Sequence, residues 1–273
     1  MDSFKDKTVV ITGGATGIGF GLAKRFGAEG AKIVIGEPRQ SKLDEALQTL
    51  KELGIEADAM VMDVTDPDSV SAFADFTWET YGGAHVLINN AGVGLGRKPM
   101  IDVALEDLHR LMNVNFFGVW HGAAIFGKRM IQQGEPAAIY NLASENSFFN
   151  AIQNSAPYIA SKHAVRGLTE AMRDEFPEFI KVGMIVPGFV ASDMTKGSEQ
   201  FAMDADTFAE KVVEQIRAGE FYVVTHSYNI VRIKPIHEEI EAAYERNAPR
   251  YEGDEEYDVP TLIARLTAGR DGT

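Results

Sequence analysis

TVVITGGATGIG, residues 8–19, decides how this chain is read. A short β-branched run ends at Thr12, glycines follow at 13, 17 and 19, and a helical pattern starts at once. A tight strand-to-helix turn needs residues that tolerate positive φ. A pyrophosphate can approach the backbone only where no Cβ intrudes. The helix start beyond the turn offers free N–H groups and the positive end of its dipole to phosphates. A glycine-rich structural turn would look the same in isolation, so the surroundings must decide.

Outward from that loop the chain alternates. Nearly all-apolar runs at 7–12, 31–36, 57–62, 85–89, 137–142, 180–186 and 221–225 read as strands. Helical patterns cover 17–29, 41–53, 66–81, 105–133, 156–176, 204–218 and 235–246, with Pro67 in first-turn position behind Asp66 as cap. Continuous rather than alternating apolar runs indicate strands buried on both faces of a parallel sheet. Strand–helix alternation means βαβ units with right-handed crossovers. No Pro/Gly/Ser linker divides the chain, so residues 1–247 are expected to form one domain. The acidic, then briefly amphipathic tail, 248–273, is expected to pack on that domain or on a neighbouring subunit.

Composition narrows the function. The 273 residues carry a formal charge of −14. That charge repels nucleic-acid phosphates and anionic membrane surfaces, so neither is expected as a partner. There is no cysteine, which excludes disulfides, thiolate nucleophiles and Cys-ligated metals. The six histidines show no ligand spacing, and no metal is expected. With no leader-like or membrane-spanning run, a cytoplasmic location is expected.

Glu37 ends the second strand, 18 residues after Gly19. A carboxylate there can accept hydrogen bonds from both adenosine ribose hydroxyls and repels a 2′-phosphate, so NAD is expected rather than NADP. Arg39 could meet a 2′-phosphate only if Glu37 turned away. Asp63, with Val64, closes the third strand. It could accept the adenine amino group or serve as a turn carboxylate. Tyr158 and Lys162 form Tyr-x-x-x-Lys on a helix, one turn apart on one face. A phenol with pKa near 10 is a poor base at neutral pH, and a neighbouring ammonium favours its ionised form. The spacing alone is common; its company is not.

TGGATGIG, Asn89-Asn90-Ala91-Gly92, Asn115 in VNFFG, Ser144 in NLAS, Tyr158-x-x-x-Lys162 and Pro187-Gly188 occur in this order. The combination resembles the short-chain dehydrogenase/reductase family in its small single-domain branch, from about residue 7 to 195. The overall pattern is also similar to bacterial aryl-alcohol dehydrogenases. The resemblance implies a doubly wound, Rossmann-like α/β sheet, a nicotinamide cofactor, and hydride exchange with an alcohol or carbonyl. By position, Tyr158 would be the general acid/base. Lys162 would lower its pKa and bind the nicotinamide ribose. Ser144 would hold the substrate oxygen, and Asn115 a water linking Lys162 to solvent, with Asn113 a nearby competitor. Gly13, Thr16, Gly17, Ile18, Gly19, Glu37, Asp63, Val64, Asn90, Ala91, Gly92, Tyr158, Lys162, Pro187, Gly188, Val190 and Ser192 would line the cofactor site. Ser192 stands where the family usually has Thr, and Gly183 where it often has Asn.

Substrate contacts are expected from Ser144, Tyr158, Val93, Phe149, Ile152 and Met194, the last on a segment that could act as a lid. Their mostly apolar character points to a hydrophobic secondary alcohol or ketone. Phe116, Phe117 and Trp120 could pack helix against helix in a homodimer or homotetramer, as family members commonly do. The competing reading is a nicotinamide-binding regulatory protein of the same fold without turnover. Occupation of all four catalytic positions speaks against it. A sugar-nucleotide epimerase would need a longer C-terminal substrate domain and a different glycine gap.

Overall fold

The computed structural model describes residues 3–268. It forms two compact units, Met1–Asn229 and Ile230–Thr273. The first is built on seven strands: β1 Thr8–Thr12, β2 Lys32–Glu37, β3 Ala57–Val61, β4 Val86–Asn89, β5 Ala137–Leu142, β6 Ile180–Val186 and β7 Tyr222–Val224. They pair in parallel in the order β3-β2-β1-β4-β5-β6-β7. After β3 the chain returns to the other side of β1. The strand order reverses there, and a crevice opens beyond the carboxyl ends of β1 and β4.

Helices α1 Gly17–Ala28, α2 Gln40–Glu52 and α7 Ala205–Ala218 cover one face. Helices α3 Pro67–Tyr81, α5 Gly118–Gln133 and α6 Ala156–Glu175 cover the other. Successive strand residues point to opposite layers. Val9 and Ile11 pack with Leu22, Phe26 and Phe208, while Val10 packs with Phe73 and Phe126. That double burial is why the strand runs are apolar throughout. Asp66 caps α3, accepting the Asp68 N–H at 3.0 Å, and left-handed Gly82 ends it. Gly183 has a packing reason: a Cβ there would fall 2.4 Å from the ring of Tyr140.

Two elements depart from the periodicity. The expected helix over 105–133 is α4 Leu105–Met112 and α5, joined by one turn of π-helix, Asn113–Phe117. The inserted residue is tolerated because Asn115, at its centre, exchanges two hydrogen bonds with the Val93 backbone. In the second unit, α8 runs Asn229–Asn247 and carries Pro235 inside it rather than at its start. A proline in that position forgoes one hydrogen bond to the preceding turn, and the helix continues through it. A short helix, α9 Val259–Ala268, accounts for the amphipathic stretch of the tail; residues 269–273 lie outside the described residues.

A buried polar ladder ties β4, β5 and α6 together. Asn89 donates to Asn141 at 2.8 Å, and Asn141 donates to Thr169 at 3.0 Å. Gly122 of α5 leaves room for it, since a Cβ there would lie 2.1 Å from the Asn89 Oδ1. Gly122→Ala should therefore lower unfolding free energy by about 2–4 kcal/mol, from overpacking plus a broken buried hydrogen bond. Gly167→Ala on α6, where a Cβ meets no atom within 4 Å, should instead stabilise by about 0.5–1 kcal/mol. Urea unfolding midpoints measure both.

Candidate active site

The glycine loop is stitched to the neighbouring strands. Gly13 and Gly17 take φ of +63° and +53°, which favour glycine. The Gly13 N–H donates to the Gly36 carbonyl at 2.6 Å. The Thr12 hydroxyl accepts the N–H groups of Asn90 and Ala91, at 3.0 and 3.1 Å. The Asn90 amide donates to the carbonyls of Thr12 and Gly13, both at 2.9 Å. A Cβ at Gly19 would fall 2.5 Å from both the Asn90 amide and the Gly13 carbonyl. Gly19 thus supports the loop from beneath rather than facing the cleft. No side chain caps the start of α1 at Thr16, so its first N–H groups stay available. Thr12 was not singled out in the sequence, because nothing local marks a strand-end threonine as a cross-strand tie.

Glu37 ends β2 and is only 4% exposed. Its carboxylate accepts the Arg39 Nε–H at 2.5 Å, and the Arg39 guanidinium also reaches Asp193 at 3.4 Å. Arg39 is therefore held between two carboxylates. Asp63 accepts the Thr65 N–H and hydroxyl on one oxygen, at 2.9 and 2.8 Å, and so works as a turn carboxylate while bordering the cleft.

At the other end of the cleft α6 presents Tyr158 and Lys162 beneath the end of β5. Lys162 is 2% exposed; its ammonium donates to the Leu142 carbonyl at 2.7 Å and stands 5.7 Å from the Tyr158 ring centre. Burial brings its pKa down to about 8. Burial also pushes the half-buried Tyr158 phenol up; a hydrogen bond with Ser144 opposes the rise and the charge of Glu145 adds to it. The phenol thus stands above its ordinary value, where the sequence led us to expect it below. Desolvation of both side chains is the reason. Ser144 is oriented by Asn146, whose backbone N–H and side-chain amide donate to its hydroxyl at 3.2 and 3.3 Å. Ser147 donates to the Lys162 carbonyl at 2.7 Å, and Ser161 to the Tyr158 carbonyl at 2.7 Å. Asn115 is fully buried: it accepts the Val93 N–H at 2.8 Å and donates to the Val93 carbonyl at 3.0 Å. Its side chain is engaged with the backbone beside Gly92.

A cleft of about 710 Å³ joins these parts. Gly13, Thr16, Gly17, Ile18, Glu37, Asp63, Val64, Asn90, Ala91 and Gly92 border it, as do Tyr158, Lys162, Pro187, Gly188, Val190 and Ser192. Ser144, Val93 and Met194 line it too. A second cavity of about 350 Å³ opens beside Ser144 and Tyr158 and takes in Ile152 and Met194. Phe149 borders neither. The second cavity also contains Arg97, Lys98, Asp107, Glu145 and Asn146, so its walls are more polar than the expected apolar set. Loops that meet only in the tertiary structure bring these groups together, which no linear motif signals. Among the described residues no group of three His, Asp or Glu is placed to hold a metal, and no helix is long and apolar enough to cross a membrane.

Residues 7–202 match the family model described as short chain dehydrogenase. The chain is 31% identical to the 1-deoxy-11-beta-hydroxypentalenate dehydrogenase of Streptomyces avermitilis, over 81% of this chain and 84% of that one. It is 35% identical to the 3-alpha-(or 20-beta)-hydroxysteroid dehydrogenase of Mycobacterium bovis, over 69% and 71% of the two chains. A short chain dehydrogenase/reductase from Burkholderia phymatum, solved in complex with NAD, superposes with a TM-score of 0.84 at 29% identity, covering 89% of this chain and 97% of that one.

A lysine whose pKa drops from 10.5 to about 8 on folding makes the fold less stable below that window. Between the two values the unfolded chain binds the extra proton, so stability rises with pH there. Lys162→Met should therefore stabilise the protein by about 1–3 kcal/mol at pH 7, the orphaned Leu142 carbonyl offsetting part of the gain. The advantage should shrink as pH climbs above 8. Denaturant titrations at a series of pH values check this; a destabilised methionine variant at pH 7 would contradict it.

Proposed function

This chain belongs to the short-chain dehydrogenase/reductase family of oxidoreductases, and on that footing we propose that it exchanges hydride between NAD(H) and an apolar secondary alcohol or ketone. The observation that carries the reading is the convergence of Ser144, Tyr158 and Lys162 at one end of a cleft whose other end holds buried Glu37. The residues present fit a dinucleotide. Two glycines in left-handed conformation and the open start of α1 suit a pyrophosphate. Glu37 suits the ribose diol, and its pairing with Arg39 removes the cation that a 2′-phosphate would need. The Burkholderia relative binds NAD, and two relatives are named for a hydroxysteroid and a hydroxypentalenate.

The nicotinamide, when bound, supplies the hydride acceptor or donor. Ser144 holds the substrate oxygen and stabilises charge that develops on it. As the carbinol carbon becomes a carbonyl, the hydroxyl proton passes to the Tyr158 oxygen; in the reverse direction Tyr158 returns it. The phenol must ionise inside a desolvated site, and the Lys162 ammonium favours that form. Leu142 fixes the ammonium in place. Asn115 acts as a positioning residue, holding the Val93 backbone against the cleft. Val93 and Met194 provide apolar contact. Phe117 and Trp120, each about half exposed on the α4–α5 side, support assembly as a homodimer or homotetramer.

Tyr158→Phe should lower kcat/KM on secondary alcohols by at least about a thousandfold while the Kd for NAD, read by fluorescence titration, stays within about threefold. A variant with wild-type turnover would remove Tyr158 from the proton transfer. Glu37→Ala should narrow the ratio of NAD to NADP affinity by about tenfold or more, the worth of one charge-assisted hydrogen bond. An unchanged ratio would rule Glu37 out as the selector.

A further inference from the structure

Glu145 directly follows Ser144, and neither the glycine loop nor the proton transfer uses it. It opens the single 3-10 turn Glu145–Ser147 after β5, and its N–H donates to the Pro187 carbonyl at 2.8 Å. That bond fixes it between the ends of β5 and β6. The residue is half-buried and lines the 350 Å³ cavity that opens beside Ser144 and Tyr158. Burial raises its carboxyl pKa, while a hydrogen bond with Asn229 favours the charged form. Gly188 makes this grouping possible: a Cβ there would fall 2.7 Å from the His226 ring and 3.0 Å from the Glu145 Oε2. His226 Nδ1 accepts the Gly188 N–H at 3.1 Å.

Glu145 and Tyr158 line the same cavity, so a substrate held by the phenol can reach the carboxylate. The next polar side chain on this wall is already spent: Asn146 donates to Ser144 and accepts the Ala151 N–H at 3.1 Å. Leu95, Val103, Ile152 and Phe189 form the apolar part of the cavity lining. A purely apolar substrate filling the cavity would strip water from this carboxylate and leave the Asn229 bond as its compensation there. A hydroxyl that donates to it restores the lost hydrogen bond.

We propose that Glu145 forms a polar subsite that accepts a hydrogen bond from a second hydroxyl of the substrate, so that the preferred alcohol is an apolar-bodied diol. This deepens the oxidoreductase reading and rests on it. Arg97, Lys98 and Lys196 also border the cavity and are exposed, which makes a substrate carboxylate the rival ligand.

Phenylethanol, phenylethanediol and mandelate share one benzylic carbinol and differ in the neighbouring group, so they separate these possibilities. Wild-type kcat/KM should favour the diol over phenylethanol by about ten- to a hundredfold, the range for a hydrogen bond to a charged group. Glu145→Gln, close to isosteric, should bring that ratio within about threefold of unity; losing a charge beside Tyr158 moves turnover of both alcohols together and leaves the ratio as the readout. Equal use of the two alcohols by the wild type, or an unchanged ratio in the variant, overturns the subsite. So does a preference for mandelate that Arg97→Ala, Lys98→Ala or Lys196→Ala abolishes. Calorimetry on the Tyr158→Phe protein saturated with NAD gives a second readout without turnover: the diol should bind more tightly, and adding Glu145→Gln should erase the difference. A binding preference without any wild-type turnover would keep the subsite and remove the oxidoreductase reading. Turnover without a binding preference would do the reverse.

Discussion

A lysine ammonium taken out of water is the constraint around which the rest of this site is arranged. Lys162 is almost wholly buried, and its ammonium donates to the Leu142 carbonyl. Burying an ammonium costs several kcal/mol even after relaxation. The Leu142 carbonyl at the end of β5 meets the ammonium, and Ser147 ties the turn after β5 to the Lys162 carbonyl on α6. The same desolvation works on the phenol in the opposite sense, raising it. The lysine is brought toward titration near neutral pH, while the phenol is held more firmly in its neutral form until positive charge beside it offsets the desolvation.

The parallel sheet brings the remaining parts to this lysine. Every strand ends on the same side, and the reversal of order at β1 leaves a crevice there. Residues following β1, β2, β4, β5 and β6 therefore share one cleft although they span most of the first unit. Thr12 and Asn90 hold the mouth of the crevice to a fixed width by bonding across it. The π turn at Asn113–Phe117 performs a similar task on the far side, aiming Asn115 at the Val93 backbone. In both places a side chain that looks like a ligand contact is spent on backbone geometry.

Much of this was legible in the residues themselves. The strands Ala137–Leu142 and Ile180–Val186 match their apolar runs to the residue, and Asp66 with Pro67 marks the start of α3. These signals are local: a strand buried on both faces needs an unbroken apolar run, and a cap needs one acceptor in one place. The π turn left no trace, because one inserted residue barely disturbs helical periodicity and its compensation comes from Val93, more than twenty positions away. Pro235 was misleading for a related reason, since a helix can lose one hydrogen bond and continue. Phe149 follows Ser144 closely in sequence yet borders neither cavity, while Glu145, the immediate neighbour, does.

The order and type of the reactive side chains, the glycine spacing and the strand–helix rhythm belong to the sequence by itself, because each depends on residues within a few positions of one another. They were enough to establish a parallel α/β fold and to gather Tyr158, Lys162 and Ser144 as a candidate set. Only the tertiary structure decided how those groups are solvated. Depth of burial, the carbonyl opposite Lys162, the reach of Arg39 to Asp193, and the carboxylate in the second cavity all arise where distant loops converge. Proton affinity and hydrogen-bond strength follow from the dielectric and partners around a group, and those are set by segments the local sequence does not contain.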